Sequence, residues 1–382
     1  MQLRTTYAYI GDYTHRLGAA ARLLDISENT LKNTLQQSAI EVRRMSHDNP
    51  AAPAVRIFDV PTIFKIAAWR RENGPAKGKK RKLPSFIAVE IIKGGTGKST
   101  TAAEVGIHLA LQGLKVLLID LDHQANLTQL MGYEADLEPA DAVGQEMSID
   151  GIVQGTFEQF IDLVLAGDRE PRVPAEECAG FIKRPFGEHG PAVIPADTFL
   201  ADVESEIAAY RGNRESVFKD IFQKSREGKI PGFNVDDFDA VIFDCPPSIS
   251  FTSINAVAMA DFIVAPVKMD SFTVKGLSRL VTEINRQRRQ DPLYQPELII
   301  LPTYYQGGVK RVGRMHDRLQ SYKDFLSDIS IGQNEDFPKS TEKYLPLSLQ
   351  KPNCAGAMEY QAFARSLAER IAVRGQKVRG AK

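Results

Sequence analysis

The sequence predicts an α/β fold: a doubly wound, mostly parallel sheet preceded by a small helical (winged) helix-turn-helix domain. From Pro84 onward, short apolar runs alternate with helical patterns, as buried parallel strands and their helical crossovers do. A glycine-rich loop follows the first of these runs, where open α/β sheets bind ligands. Of the chain's 48 basic and 48 acidic residues, positions 1–82 hold 15 and 7, so a basic segment precedes an acidic body.

The first 75 residues have the pattern of two short helices around a tight turn. Residues 17–24 and 28–35 are the predicted helices, and Ser27 is a good N-cap for the second. A basic, loop-like stretch through residues 43–53 follows, and then an apolar-aromatic segment whose helix begins near Pro61. The alternative is a dimerisation or packing domain with a solvated basic face. If the segment reads DNA, the candidate contacts are its polar and basic residues Ser27, Asn29, Thr30, Lys32, Arg43 and Arg44.

Residues 76–84 read as a basic linker, because like charges keep such a segment open. Residues 85–382 then form the larger domain. Residues 133–190 lack clear periodicity, and we read them as an insertion with a helix near Phe157–Leu165. The predicted strands of the larger domain are Ile87–Ile91, Lys115–Asp120, Ala192–Ile194, Ala240–Asp244, Phe262–Val267 and Leu298–Leu301.

A glycine loop between the first predicted strand and a helix indicates a P-loop NTPase domain. Glycines let the backbone curl around a polyphosphate, and the helix N-terminus supplies a fixed positive potential. We expect Lys98 to reach the β- and γ-phosphates and the Ser99 hydroxyl to ligate Mg²⁺. The predicted nucleotide-binding residues of the loop are Lys93, Gly94, Gly95, Thr96, Gly97, Lys98, Ser99 and Thr100.

Two further motifs supply carboxylates near this loop. Asp120 and Asp122 end a predicted strand and, being two residues apart, point to the same side, where they can hold hydrated Mg²⁺ and orient a water. Asp244 follows four apolar residues, which is the Walker B pattern for an acid in the Mg²⁺ shell. We therefore expect Ser99, Asp120 and Asp244 to surround the metal.

The second lysine, Lys93, resembles the deviant Walker A loop of the ParA/MinD group, and so do the D-x-D-x-Q-x-N and D-x-P-P stretches at Asp120 and Asp244. The resemblance implies an ATPase that binds ATP and Mg²⁺ and closes into a homodimer in which Lys93 contacts the partner's phosphates. It also implies that Asp122 orients the hydrolytic water. The catalytic residues would then be Lys93, Lys98 and Asp122, with adenine near Pro302 and Thr303.

With its basic front, the chain resembles the larger plasmid ParA proteins, which implies a DNA-partition ATPase with slow intrinsic turnover. Its expected partners are nucleoid DNA and a ParB-type centromere-binding protein, and the N-terminal domain can bind operator DNA and repress its own gene. Non-specific DNA contacts are expected from Arg311 and Arg314 at a predicted helix start, and from Lys339 and Lys343 in a predicted loop.

Two other functions stay open from the residues. A MinD-like membrane-associated ATPase would need an amphipathic C-terminal helix with bulky apolar residues, whereas residues 374–382 are polar and lack aromatics. A nucleotide-responsive repressor without turnover is the other, and the intact Asp122 and Asp244 count against it.

Cysteine usage and hydropathy bear on the compartment. The three cysteines are far apart with no CxxC pair, which argues for a reducing compartment and against a disulfide framework or zinc site. No apolar run approaches 18 residues. We therefore expect a soluble, cytoplasmic protein with no membrane partner, and the ParA resemblance implies that it associates with the nucleoid.

Overall fold

The computed structural model describes residues 10–45, 54–74, 83–137, 151–269, 274–306 and 318–380. The N-terminal segment pairs two short helices with a small antiparallel sheet of order β1-β3-β2. A helix longer than either follows, and Pro61 lies in its first turn as predicted. The bounds are β1 Thr14–Arg16, α1 Leu17–Leu23, α2 Glu28–Ser38, β2 Arg43–Met45, β3 Val55–Asp59 and α3 Val60–Asn73.

Ser27 caps α2 as predicted, because its hydroxyl accepts from the backbone N–H of Thr30 at 3.1 Å. The loop-like reading of the basic stretch after α2 was wrong for Arg43 and Arg44. Both lie in β2, opposite Ile57 and Arg56 of β3. An extended, exposed strand of this kind can carry charged side chains. The two arginines therefore lack the apolar pattern from which a strand is predicted.

The larger sheet has six strands in the order β6-β5-β7-β4-β8-β9, and every pair is parallel. All six predicted strands are confirmed, with ends shifted by at most two residues. Both faces are covered by helices, which is why the strands are apolar throughout. Their bounds are β4 Ser85–Val89, β5 Val116–Asp120, β6 Ala192–Ile194, β7 Ala240–Asp244, β8 Phe262–Lys268 and β9 Glu297–Thr303.

Helices connect and cover these strands. The predicted helix at Phe157–Leu165 is confirmed, and a capping box at Thr156 and Gln159 fixes its start. The helix bounds are α4 Lys98–Leu111, α5 Asn126–Leu130, α6 Phe157–Leu165, α7 Ala175–Cys178, α8 Val203–Ala209, α9 Val217–Arg226, α10 Phe251–Met259, α11 Val274–Gln290, α12 Asp336–Glu342, α13 Leu347–Gln350 and α14 Ala355–Gly380. None of the helices in these described ranges is long and apolar enough to cross a membrane.

The N-terminal segment shares one hydrophobic cluster with the larger domain. Leu31 and Phe64 belong to the same buried cluster as Leu109 of α4. A Cβ at Gly113, just after α4, would come within 2.6 Å of the Ala67 carbonyl oxygen, so α3 approaches this turn closely. The described residues between 10 and 74 are therefore packed on the larger domain, while the domain division at residues 76–84 stays a prediction.

Helix α14 packs against both regions. On one side, the Tyr360 hydroxyl hydrogen-bonds the Thr101 hydroxyl of α4 at 2.9 Å. On the other, the Gln361 amide donates to the Arg22 carbonyl of α1 at 2.8 Å, and Arg365 forms an ion pair with Asp25. Helix α14 therefore contacts both the N-terminal segment and the helix that follows the glycine loop.

Candidate functional site

The glycine loop lies between β4 and α4, at the carboxyl end of the central strand. Gly95 and Gly97 have φ values of 68° and 89°, a region that costs other residues strain. A Cβ on Gly94 or Gly95 would meet nothing within 4 Å, so this face of the loop is open. An anion can therefore reach the backbone of the loop and the N-terminus of α4.

Lys98 is the first residue of α4, and its side chain is buried beneath the loop. Its ammonium donates to the Lys93 carbonyl oxygen at 3.1 Å, which bends the loop over the lysine. On the opposite side, the Thr303 hydroxyl of β9 donates to the Thr96 carbonyl oxygen at 2.9 Å. These two contacts brace the loop from within, and the half-buried Lys93 side chain stands at its start.

The two carboxylates at the end of β5 and just after it have different surroundings. Asp120 is fully buried and accepts from the Thr128 amide at 2.9 Å, the Thr128 hydroxyl at 2.7 Å and the Asp122 amide at 3.1 Å. Asp122 accepts from the Gln124 amide at 3.1 Å. Asp120 therefore fixes the turn that carries Asp122, while its predicted place near the metal stays a prediction.

Asp244 ends β7 beside Asp120 on β5 and is fully buried. Neither of its carboxylate oxygens has a hydrogen-bond partner of normal geometry. Burial and the neighbouring Asp120 raise the pKa of Asp244 well above its usual value, while the Ser99 hydroxyl and the Lys98 ammonium oppose this. A buried, unpartnered carboxylate next to a loop hydroxyl is a position that a cation would stabilise.

The residues present therefore fit Mg²⁺ bound with a nucleotide. Ser99 and Asp244 are oxygen donors, the class that this ion prefers, and Mg²⁺ usually completes its shell with water and phosphate oxygens. The described residues form no group of three or more His, Cys, Asp or Glu side chains that could hold a metal ion. The ion would neutralise charge that develops on the phosphates.

The predicted adenine contacts lie at the end of β9. Pro302 and Thr303 are buried there, and the Thr303 hydroxyl is engaged with the loop. Tyr304 follows with φ of 51°, and its ring lies 3.9 Å from where a Cβ on Gly97 would be. The strand end therefore borders the loop, and a base contact by either residue stays a prediction.

The predicted DNA contacts that the structure describes lie on three different elements and in the segment after the last of them. Asn29, Thr30 and Lys32 are exposed on α2 and Arg43 and Arg44 on β2, while the exposed Ser27 uses its hydroxyl to cap α2. Lys339 lies on helix α12, so its prediction as a loop residue was wrong; Pro338 occupies the first turn, where proline is tolerated. Lys343 follows this helix and is exposed. Arg311 and Arg314 lie outside the described residues.

Sequence reasoning missed Glu90, which directly follows β4. It is 2% exposed, and burial raises its pKa to about 8, an effect that the Lys98 ammonium opposes. The available signal was one acidic residue inside the apolar run 86–92. A charge at such a place is costly unless it has a partner, so it marks a special position.

Known proteins are similar to this chain in sequence and in fold. The AAA_31 family model, described as an AAA domain, matches residues 85–300, more than half of the chain. The chromosome-partitioning ATPase Soj of Treponema pallidum is 26% identical over 281 residues, 73% of this chain and 94% of that protein. The chromosome partitioning protein ParA of Caulobacter vibrioides is 27% identical over 285 residues, 74% of this chain and 94% of that one.

Among solved structures, a putative plasmid partition protein from Borrelia burgdorferi bound to AMPPNP has a TM-score of 0.53. It is 19% identical, with 76% of this chain and 100% of that chain covered, so the likeness concerns the fold. The P-loop and parallel six-stranded sheet agree with the family match. The chain therefore belongs to the AAA domain family and is a ParA-like ATPase.

Proposed function

We propose that this protein is an ATP-dependent DNA-partition ATPase whose ATP-bound dimer binds DNA. The observation that carries the proposal is the pairing of a two-lysine glycine loop with the buried, unpartnered carboxylate of Asp244. Such a site is suited to a Mg²⁺-nucleotide, and the Soj and ParA relatives are named as chromosome-partitioning proteins.

The residues around the loop would have separate roles in ATP hydrolysis. Lys98 and the loop amides would hold the phosphates, and Ser99 and Asp244 would hold Mg²⁺. Asp122 would orient the attacking water, because its carboxylate is held by the turn that Asp120 fixes. Hydrolysis of ATP to ADP and phosphate then needs only positioning and charge stabilisation around the transferred group.

Lys93 supports the proposal that the active form is a homodimer. Its carbonyl oxygen holds Lys98 within its own subunit, while its side chain is not buried in the loop. A lysine offered to the partner's γ-phosphate would favour the dimer only while that charge is present. We therefore propose that dimerisation is coupled to ATP and that turnover by a single subunit is slow.

DNA would be bound in two ways. The exposed Lys339 and Lys343 would contact phosphates without reading sequence, together with Arg311 and Arg314. The exposed face of α2 and the strand β2 would contact operator DNA and repress the protein's own gene. A ParB-type centromere-binding partner would stimulate hydrolysis, and hydrolysis would release the DNA. The protein would therefore be on the nucleoid only while ATP is bound.

The test is ATP turnover with and without non-specific duplex DNA, for wild type, Lys93→Ala and the control Lys115→Ala. Lys115 is an exposed lysine, whereas Lys93 is half-buried, and it precedes β5 at the opposite end of the sheet. DNA binding is measured in parallel at two salt concentrations. We expect weak turnover, ATP-dependent and salt-sensitive DNA binding, and a loss of both in Lys93→Ala alone.

Other results separate the parts of the proposal. Turnover without any DNA binding at either salt concentration would refute the partition function and favour an ATPase with a membrane or protein partner. Equal loss of turnover in Lys93→Ala and Lys115→Ala would refute the specific role of Lys93. Sedimentation of the protein with liposomes would support the MinD-like alternative.

A further inference from the structure

The three-stranded sheet of the N-terminal segment, formed by β1, β3 and β2, carries four arginines. Arg16 lies on β1, Arg43 and Arg44 lie on the edge strand β2, and Arg56 lies on the central strand β3. The ion pairs between described residues include none of these four. Asp59, the one acidic residue on these strands, caps α3. This arginine sheet therefore holds a concentrated positive charge.

The register places two of these arginines on each face of the arginine sheet. Arg16 and Arg43 lie opposite Ile57 from its two sides, so these three side chains share one face. Arg44 lies opposite Arg56, and this pair is on the other face because consecutive strand residues point to opposite faces. Like charges directly opposite each other destabilise a strand pair. Negative charge from a partner would therefore stabilise the sheet.

The arginine sheet is anchored at one end and accessible at the other. His15 and Phe58, which lie opposite each other on the face of Arg44 and Arg56, are buried. Three of the four arginines are exposed, and Arg56 is half-buried. The end of the sheet that carries β2 can therefore be reached by a large partner.

Helix α2 of the same segment contributes little charge of its own. It contains one acidic residue, Glu28, and one basic residue, Lys32, and both are exposed. Its other exposed side chains are mainly amides, which suit hydrogen bonds to base edges. Affinity for DNA phosphates depends on neutralising their charge, so in this segment the arginine sheet is the better source of it.

The distribution over two faces indicates the shape of the partner. A flat anionic surface, such as a lipid bilayer, can meet only one face of a sheet at a time. A groove of duplex DNA has a phosphate backbone on each side, and the major groove, about 12 Å wide, admits a two-stranded β-ribbon. Only in a groove can Arg43 and Arg44, which are consecutive, both lie against phosphates.

From this arrangement we propose that the arginine sheet inserts its edge strand β2 into a groove of duplex DNA. Arg16 and Arg43 contact one phosphate backbone, and Arg44 and Arg56 contact the other. Arg16 and Arg56 are thus DNA contacts beyond those already proposed for α2 and β2. The inference rests on the proposed DNA binding and deepens it. Strand pairing within the N-terminal segment holds these arginines, so this binding needs no nucleotide.

The test measures binding of the full-length, nucleotide-free protein to a labelled duplex of random sequence by fluorescence anisotropy over a series of salt concentrations. Arg16→Gln and Arg56→Gln each remove a charge from one face, and the double variant removes one from both. The matched control is Arg279→Gln, because Arg279 is also exposed but lies on α11 of the larger domain. Arg56→Lys keeps the charge at the half-buried position, and circular dichroism establishes that each variant is folded.

Each neutralised phosphate contributes about 0.9 to the slope of log Kd against log salt concentration. We therefore expect either single glutamine variant to lower this slope by about 0.9 and the double variant to lower it by about 1.8. Arg279→Gln and Arg56→Lys should keep the wild-type slope. Wild type should bind the duplex more tightly than it binds a single strand of the same sequence or vesicles that contain phosphatidylserine, because only the groove meets both faces.

The failures of the two proposals differ. If the protein binds the duplex neither with ATP nor without it, the proposed DNA-binding function itself is wrong. If it binds only with ATP, or if both single variants and the double variant keep the wild-type slope, only the role of the arginine sheet is overturned. A lower slope in Arg16→Gln or Arg56→Gln alone would show contact through one face and overturn insertion into a groove. Equally tight binding to the single strand or to the vesicles would also overturn it.

Discussion

The turn that carries Asp122 depends on the Thr128 hydroxyl, and Thr128→Val tests this dependence. The hydroxyl donates to Asp120 at 2.7 Å and accepts from the Ala196 amide at 2.8 Å, and Thr128 and Asp120 are fully buried. Valine replaces the hydroxyl by a methyl of similar size. The variant therefore removes two hydrogen bonds with little change in packing.

The expected loss of stability in Thr128→Val follows from these two hydrogen bonds. A hydrogen bond to a charged group contributes about 1.5–3 kcal/mol, and a buried N–H left without a partner costs about 1–3 kcal/mol. Asp120 keeps its hydrogen bond from the Thr128 amide at 2.9 Å, so part of the stabilisation from the hydrogen bonds to this carboxylate is retained. We expect Thr128→Val to lower the free energy of unfolding by about 3–4 kcal/mol.

The assay is urea denaturation followed by circular dichroism, with Thr128→Ser as the control. Serine keeps the hydroxyl and loses one buried methyl group, which costs about 1 kcal/mol. The reasoning predicts that valine is the more damaging change although it fills the space better. A valine variant as stable as the serine variant would refute it and show that Asp120 is held by other contacts.

Three further predictions concern the loop, the protonation of a buried carboxyl and DNA. A Cβ on Gly276 would lie 2.8 Å from the Ile92 carbonyl oxygen, so Gly276→Ala should shift the start of the loop and raise the Kd for ATP. The control is Gly180→Ala, because a Cβ there would meet nothing within 4 Å. Burial raises the pKa of Glu104 from 4.5 to about 7, so between these pH values the folded state holds a proton that the unfolded chain has lost. The free energy of unfolding should therefore fall by about 3 kcal/mol as pH rises through this range. Denaturation curves of Glu104→Gln should show a weaker pH dependence, and an unchanged dependence would contradict this reasoning. Replacing Lys339 and Lys343 by glutamate should weaken non-specific DNA binding and reduce its salt dependence, while an unchanged salt slope in electrophoretic shift assays would remove both from the interface.

The parallel sheet could be predicted because its signals are local. Each strand is a short apolar run bounded by polar residues or turns, and this length and these boundaries are typical of parallel strands buried on both faces. The glycine loop and Asp244 follow from motif spacing, since the fold brings the carboxyl ends of parallel strands together. Thr156 likewise marks the start of α6 through its capping box.

Features that depend on distant partners could not be predicted in this way. Strand β2 is stabilised by β3, which follows after an intervening segment, so Arg43 and Arg44 carry no local sign of pairing. The bonds of Thr128 with Asp120 and Ala196 join three separate parts of the chain. Lys339 lies on helix α12 although Pro338 precedes it, because a proline in the first turn costs a helix little.

The position of α14 also determines the order in which the molecule can be completed during synthesis. The helix is translated after both α1 and α4, yet it contributes Phe363 and Leu367 to the cluster that these helices share. Until it emerges from the ribosome, α14 cannot cover the apolar surfaces of α4 and α1 against which it packs. The nascent chain therefore exposes more apolar surface, which favours aggregation, before α14 has been translated than after it.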